Sequence, residues 1–420
     1  MGSSDLILSE DQLRGLDAID QWLRDRSSPY FTLGGYAGCG KSTLVGRLLA
    51  ESAGMRVAVC AFTGKAAHVL RTKGIKRAKT IHSTIYAPTE VCKNCEHPLE
   101  QRRDPWDYDA PIFEPDPQAV EVGDPSQQPH PPTVEFRPRA PTCDRIPGCA
   151  GAGEKTQFKL IPELDAQLIV VDEASMVSTQ IHNDLLSFGI PILYVGDHGQ
   201  LEPIGANPKL MLDPHFKLEK IHRQAEGSEI LQFAQHVRTH GTPKTFGKDA
   251  VVLDTNRVPR DAHEYDIVLC GKNTTRVAVN ARIRRDRGFT SPLPEPGESV
   301  VCLRNNREHK LFNGMLATVL DVRVDDRVDH PEIDIEDDEG VVRRGLRFEP
   351  AQFGSEDILD TRSRKTCLFD FGYALTVHKS QGSEFSRVLV LEWFHRDTSA
   401  ARWRYTAATR ASEQLVWCRR

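Results

Sequence analysis

The run Gly35-Tyr36-Ala37-Gly38-Cys39-Gly40-Lys41-Ser42 has residue types and spacing suited to holding a polyphosphate, since it fits G-x-x-x-x-G-K-[S/T]. Its glycines let the backbone turn tightly and bring N–H groups onto phosphate oxygens. A helix starting there adds the partial positive charge of its N-terminus. On this reading Gly35, Ala37, Gly38, Cys39, Gly40 and Thr43 line a nucleotide, Lys41 reaches the β- and γ-phosphates, and the Ser42 hydroxyl ligates Mg²⁺. The alternative is a glycine turn that binds nothing, and the flanks argue against it. Apolar Tyr30-Phe31-Thr32-Leu33 precedes the loop, and Thr43–Ala50 follows with apolar residues at helical spacing. A second pair of reactive groups, Asp172-Glu173, ends the apolar run Leu168–Val171. Asp172 suits Mg²⁺ and Glu173 suits polarising an attacking water. Gln200, in the loop after the apolar run Ile192–Val195, has the chemistry to sense a γ-phosphate or to position water.

Elements that could position these groups are legible around them. Strand-like runs alternate with helical ones, and each strand ends in a polar loop, as Val57–Phe62 does in Thr63-Gly64-Lys65. This pattern predicts an α/β fold with a parallel sheet and a nucleotide at its carboxyl edge. Ser9, with Gln12 three residues on, predicts a capping box that opens a helix whose buried stripe is Leu13, Leu16, Ile19 and Leu23.

With 420 residues the chain is long enough for two or three domains. No apolar run reaches the ~18 residues of a membrane span, and the first residues lack the basic and apolar regions of a signal peptide. Cytoplasmic residence is therefore expected, with no membrane partner. A net charge of −5 does not advertise nucleic-acid binding, but local fields decide that. Ala61–Thr89 holds no acidic residue while carrying Lys65, Arg71, Lys73, Lys76, Arg77 and Lys79. A second basic cluster is Arg282, Arg284, Arg285 and Arg287. Each is either a solvated face or a phosphate-contacting surface.

Six of the 10 cysteines are scattered singly and read as small buried hydrophobes. The other four lie between about Pro88 and Pro147, a stretch that holds half of the 26 prolines and few aliphatic residues. Cys92 and Cys95, with Cys143 and Cys149, could hold one structural Zn²⁺. The other reading is an insertion whose cysteines stay free.

Gly196-Asp197-x-x-Gln200-Leu201-x-Pro203-Ile204 brings the motifs together. With them the chain resembles the superfamily 1B helicases, the RecD-like and Dda-like DNA helicases. Further motifs follow in family order: Leu218–Gln224 with Arg223, Gly372–Phe385, and Tyr405-Thr406-Ala407-Ala408-Thr409-Arg410-Ala411. The resemblance implies two RecA-like parallel-sheet motor domains, with an SH3-like β-barrel insertion and an unusual Cys/Pro-rich insertion. The implied boundaries are residues 1–87 and 151–212 for domain 1A, 88–150 for the insertion at the 1B position, 213–292 and 370–420 for domain 2A, and 293–369 for the 2B barrel.

The same resemblance implies an ATP hydrolase that couples cleft closure to 5′-to-3′ movement on single-stranded DNA and to unwinding. Arg223 and Arg410 would reach the γ-phosphate from the second domain, Gln12 would read adenine, and Gly382 and Glu384 would face the nucleotide. Thr63, Gly64, Lys65, His82, Ser83, Thr376, His378 and Lys379 would contact the strand. ATP and Mg²⁺ are the implied cofactors. Single-stranded DNA, its junctions with duplex, and replication or repair proteins are the implied partners of a monomer in a bacterial or phage-infected cell. An RNA helicase of the same superfamily and a non-unwinding, protein-displacing translocase are the alternatives.

Overall fold

Strands buried on both faces read as continuous apolar runs, and the chain has two sets of them. In the computed structural model, residues 8–419 are described, apart from 53, 93–153, 203–204, 221–226, 256, 307, 326–329, 339, 360–365 and 394–398. The first set forms a six-stranded parallel sheet in the order Lys79–Thr80, Val57–Ala61, Leu168–Asp172, Ile192–Gly196, Tyr30–Gly35 and Phe216–Leu218. Val170, Val195 and Leu33 pack with Leu44 and Leu48 of the helix Lys41–Glu51 into one core. The second set forms a five-stranded parallel sheet in the order Ala374–Thr376, Ile267–Cys270, Phe385–Leu391, Ala411–Arg419 and Ala250–Asp254. Its core holds Phe233, Trp403 and Trp417.

Between these, Val342–Arg347, Glu332–Asp337, Leu316–Arg323, Ser299–Cys302 and Phe369–Phe371 pair in that order as an antiparallel sheet. It has its own core of Val300, Val319, Ile333, Ile335 and Phe348. The chain leaves this sheet for the second parallel one through Gly372. A Cβ there would lie 2.6 Å from Ser299 Oγ and 2.9 Å from the Val300 carbonyl carbon. Only glycine fits at that crossing.

Several expectations shift. Phe216–Leu218 was assigned to the second half but pairs with Tyr30–Gly35, through Leu33 to Phe216, and so belongs to the first sheet. Glu154–Leu160 was assigned to the first motor domain but pairs antiparallel with Tyr86–Cys92 in the separate unit Tyr86–Ile161. Cys95, Cys143 and Cys149 lie outside the described residues, and so does the zinc expectation built on them with Cys92. The six scattered cysteines are all buried and reduced. The first helix, Glu10–Asp25, has the expected capping box, but it buries Gln12, Gly15, Leu16, Ile19 and Trp22 and leaves Leu13 half exposed.

Arg282, Arg284 and Arg287 of the second basic cluster make structural bonds, while Arg285 is exposed. On the helix Asn273–Asp286, Arg284 forms a bidentate pair with Glu298 at 2.7 and 2.9 Å, and Glu298 is fully buried. Tyr373 also donates to that carboxylate at 3.1 Å. Arg282 and Arg287 donate to the carbonyls of Val258 and His263. Removing one partner of a buried pair leaves an uncompensated charge. Arg284→Met is therefore expected to lower stability by about 3–5 kcal/mol, read as a shifted midpoint in urea denaturation.

Candidate nucleotide and nucleic-acid site

The glycine loop joins Tyr30–Gly35 to the helix Lys41–Glu51, with Gly38 and Gly40 at φ +81° and +75°. Those left-handed conformations strain any residue with a Cβ. Lys41 Nζ donates to the carbonyl oxygens of Gly35 at 2.7 Å and Tyr36 at 3.0 Å, so the ammonium lies across the loop's own entrance. Cys39 is buried, while Ala37, Gly40, Ser42 and Thr43 are half-buried along the loop and the helix start. Gln12 is buried against this loop. Its Oε1 accepts from Ser9 N–H at 2.9 Å, and its Nε2 donates to the Gly40 carbonyl at 3.3 Å. The capping role and contact with the nucleotide loop thus coexist in one side chain.

Asp172 and Glu173 stand half-buried at the carboxyl end of their strand. Glu173 takes φ +55°, unusual for a residue with a Cβ. Such strain clusters at functional sites. Its N–H donates to Asp172 Oδ1 at 2.9 Å. Burial pushes the Asp172 carboxyl up, against that hydrogen bond and the positive charge of Lys41. Burial and the neighbouring Asp172 also push Glu173 up, against Arg410 and Lys41. A carboxylate raised in this way is a better proton acceptor at neutral pH.

A carboxylate, a hydroxyl and phosphate oxygens are the hard donors Mg²⁺ takes, and Asp172 and Ser42 are of the types that fit it. Gln200 is buried, with Nε2 3.5 Å from Asp197 Oδ2. Its Oε1 is buried without a partner among the described residues. An orphaned acceptor of this kind fits a water or ligand proton.

The charge that reaches Glu173 from the far side comes from the second sheet. Arg410 precedes the strand Ala411–Arg419 and follows the helix Ala400–Ala408. Its guanidinium is buried and donates to the carbonyls of Thr406 at 3.1 Å and Ser383 at 2.9 Å. Further contacts join the two halves: Thr406 Oγ1 accepts from Leu201 N–H at 2.9 Å, Gln381 Nε2 donates to the Leu201 carbonyl at 3.0 Å, and Arg402 pairs with Glu202. Arg223 lies outside the described residues.

The expected strand-contacting segments also meet. Thr63 caps the helix Gly64–Thr72 by accepting from Ala66 N–H at 3.1 Å. A Cβ on Gly382 would lie 3.0 Å from Thr63 Oγ1, and Lys65 sits 5.0 Å over the Phe385 ring. Gly382, an expected nucleotide-facing residue, takes a left-handed turn and packs on Thr63, and the neighbouring Ser383 carbonyl accepts from Arg410. Glu384 is exposed. The antiparallel sheet's loops arrive at the same place. Phe312 packs so closely on Gly64 that a Cβ there would lie 2.6 Å from its own Cβ, and Asp338 is 3.5 Å from Lys65 Nζ.

His82 is exposed on the short helix Ile81–Ile85, beside Ser83, whose hydroxyl donates to the Thr80 carbonyl at 2.9 Å. Lys73, Lys76, Arg77 and Lys79 are exposed nearby. Thr376, His378 and Lys379 are half-buried after the strand Ala374–Thr376. Burial and the nearby Arg276 lower the Lys379 ammonium to about 8.

Sequence reasoning gave no role to Tyr405, Asp197 or Arg238. Tyr405 hydrogen-bonds the phosphate loop, and Arg238 lies 3.8 Å over the Tyr36 ring. The motifs Gly196–Ile204 and Tyr405–Ala411 contain Asp197 and Tyr405, but the partners are distant in the chain and motif spacing does not reveal them.

A glycine phosphate loop and paired carboxylates on one parallel sheet, with a buried arginine coming from a second, define a two-sheet phosphate-loop NTPase. The chain belongs to the AAA domain family, whose model matches residues 8–253. A UvrD-like helicase C-terminal domain model matches residues 371–417. The ATP-dependent RecD2 DNA helicase of Deinococcus radiodurans is 25% identical over 97% of this chain and 48% of its own. The conjugal transfer protein TraA of Rhizobium radiobacter is 25% identical over 60% of this chain and 24% of its own. The chain thus spans less than half the length of either curated relative. Among solved structures, Bacteroides Pif1 bound to single-stranded DNA matches with a TM-score of 0.52 at 18% identity, covering 98% of this chain and 92% of that one. At that identity the likeness speaks to the fold: two α/β domains with parallel sheets, as in the Pif1 helicases.

Proposed function

We propose that this chain is an ATP- and Mg²⁺-dependent DNA helicase that moves 5′ to 3′ on single-stranded DNA. The observation that carries the reading is the buried Arg410, held by the Thr406 and Ser383 carbonyls beside the second sheet, while Lys41 and the Asp172-Glu173 pair stand on the first. An arginine contributed across a cleft stabilises transition-state charge, so hydrolysis depends on how the halves are closed. Likeness to the RecD2 helicase and to Pif1 bound to single-stranded DNA supports DNA as the track. In this reading residues 1–85 and 162–218 form one motor half, and 219–292 with 372–420 the other. The antiparallel sheet within 293–371 is the SH3-like 2B module, and the unit of 86–161 takes the 1B position.

Mg²⁺, when bound, would supply positive charge to the phosphate oxygens. Ser42 and Asp172 would hold it. Lys41 would neutralise the phosphates, Glu173 would take the proton of the attacking water, Gln200 would orient that water, and Arg410, with Arg223 by its motif, would offset charge on the γ-phosphate. Gln12 lies where an adenine edge would meet the loop. Thr63, Gly64, Lys65, His82, Ser83, Thr376, His378 and Lys379 line the strand path, with single-stranded DNA and its duplex junctions as partners.

Duplexes carrying a 5′ or a 3′ single-stranded tail test the reading in one assay. ATP-dependent unwinding of the 5′-tailed duplex alone is expected, and matched RNA tails should be poorer. Failure to unwind either DNA duplex overturns it.

Lys379 adds a pH signature. With its pKa lowered to about 8, its charge is present at pH 7 and largely lost by pH 9. The salt slope of single-stranded DNA binding is expected to fall by about 0.7 over that interval, one phosphate contact's worth. Lys379→Gln should remove that pH dependence in fluorescence-anisotropy titrations.

A further inference from the structure

The Tyr405 hydroxyl joins the two halves at the phosphate loop. It accepts from Ala37 N–H at 2.8 Å and donates to Asp197 Oδ2 at 2.8 Å. Asp197 also accepts from Gly199 N–H at 2.9 Å, and Gln200 Nε2 lies 3.5 Å from its Oδ2. Tyr405 is 3% exposed and Asp197 1%, so water does not readily replace either bond. Around this chain Tyr36 meets the Tyr405 ring edge-on at 5.9 Å, and Arg238 donates to the Tyr36 hydroxyl at 2.6 Å. A Cβ on Gly199 would lie 2.9 Å from Tyr405 Cε1 and 3.0 Å from Tyr36 Cε1. The missing side chain at 199 is what admits both rings.

One carboxylate therefore takes hydrogen bonds from both Tyr405 and Gln200, and the same hydroxyl takes the phosphate-loop amide. The helix Ala400–Ala408 carries Tyr405, and Arg410 follows it directly. Movement of the second half thus reaches the loop amide, the Gln200 amide and the Glu173 carboxylate together. We propose that Tyr405 is a positioning residue for ATP hydrolysis, setting the Gln200 amide and the Ala37 end of the phosphate loop in register when the halves close. This rests on the function proposed above. A group that acts only in the closed geometry lowers the barrier without adding to ground-state binding, so its loss reduces kcat and kcat/KM alike. A tyrosine that merely fills core would instead show its loss in folding or in nucleotide affinity.

The test compares the full chain with Lys41→Ala and Tyr405→Phe, measuring DNA-stimulated ATPase, ADP affinity and thermal melting. Tyr405→Phe is expected to lose about 10- to 100-fold in kcat, the scale of a misplaced reacting group, with ADP affinity within about twofold. Unchanged kcat in folded Tyr405→Phe, or an affinity loss as large as the kcat loss, overturns the positioning role. A parent no more active than Lys41→Ala overturns the proposed function, and this inference with it, so the two failures are distinguishable. If Tyr405→Phe does not fold, Gly199→Ala, which crowds the ring while keeping the hydroxyl, is expected to show the same kcat-selective loss; unchanged kcat there overturns the role.

Discussion

Lys41→Ala is expected to lower DNA-stimulated ATP turnover by about 10³-fold while single-stranded DNA affinity stays within about twofold of the parent. Removing one donor aimed at developing charge in a water-poor site costs about 10²–10³ in rate, and Lys41 has a second effect. Its positive charge opposes the burial that pushes Asp172 and Glu173 up. Without it both carboxyls rise further, Asp172 becomes a poorer Mg²⁺ ligand, and the losses compound. DNA affinity should survive because the strand-contacting candidates Lys65, His82 and Lys379 lie on other segments, and among the described residues Lys41 bonds Gly35 and Tyr36 of its own loop. Steady-state ATPase beside anisotropy titration of a labelled oligonucleotide checks both halves of the expectation. Turnover near the parent's would remove the phosphate loop from the mechanism.

The phosphate loop and the Asp172-Glu173 strand end were legible because both depend on local chemistry. Buried parallel strands are apolar runs, and their reactive residues must stand at the carboxyl ends. What sequence did not yield depends on distant partners. Phe216–Leu218 and Phe369–Phe371 are three residues each, too short for periodicity to mark. Arg284 looked like part of a basic face, yet its partner Glu298 draws it into the interior. Leu13, expected in the buried stripe of the first helix, is half exposed because that stripe follows Gln12, Gly15, Ile19 and Trp22. Tyr405 and Ala37 are 368 residues apart, a separation that no motif spacing bridges. The reacting groups could be read in sequence, whereas the contacts that make them act together needed the fold.

Arg410→Ala is the second large effect expected: a fall in kcat of about 10³-fold, the lower end for a cross-cleft arginine, with ATP KM changed by less than about threefold. The guanidinium is held by the Thr406 and Ser383 carbonyls and the Thr409 hydroxyl, the last at 3.1 Å. It is thus fixed in orientation before any phosphate arrives, as electrostatic stabilisation requires. Its charge already lowers Glu173 from across the cleft. Losing it must raise that carboxyl, so the acid limb of the kcat–pH profile moves to higher pH. Arg410→Lys should recover part of the rate and most of the limb's position, since it keeps the charge while losing the planar fork. A purely structural arginine, tying Ser383 to Thr406, predicts something else: a lowered melting temperature in both variants, an unmoved acid limb, and no advantage for lysine. The pH profile separates the two because only a charge near Glu173 can shift it.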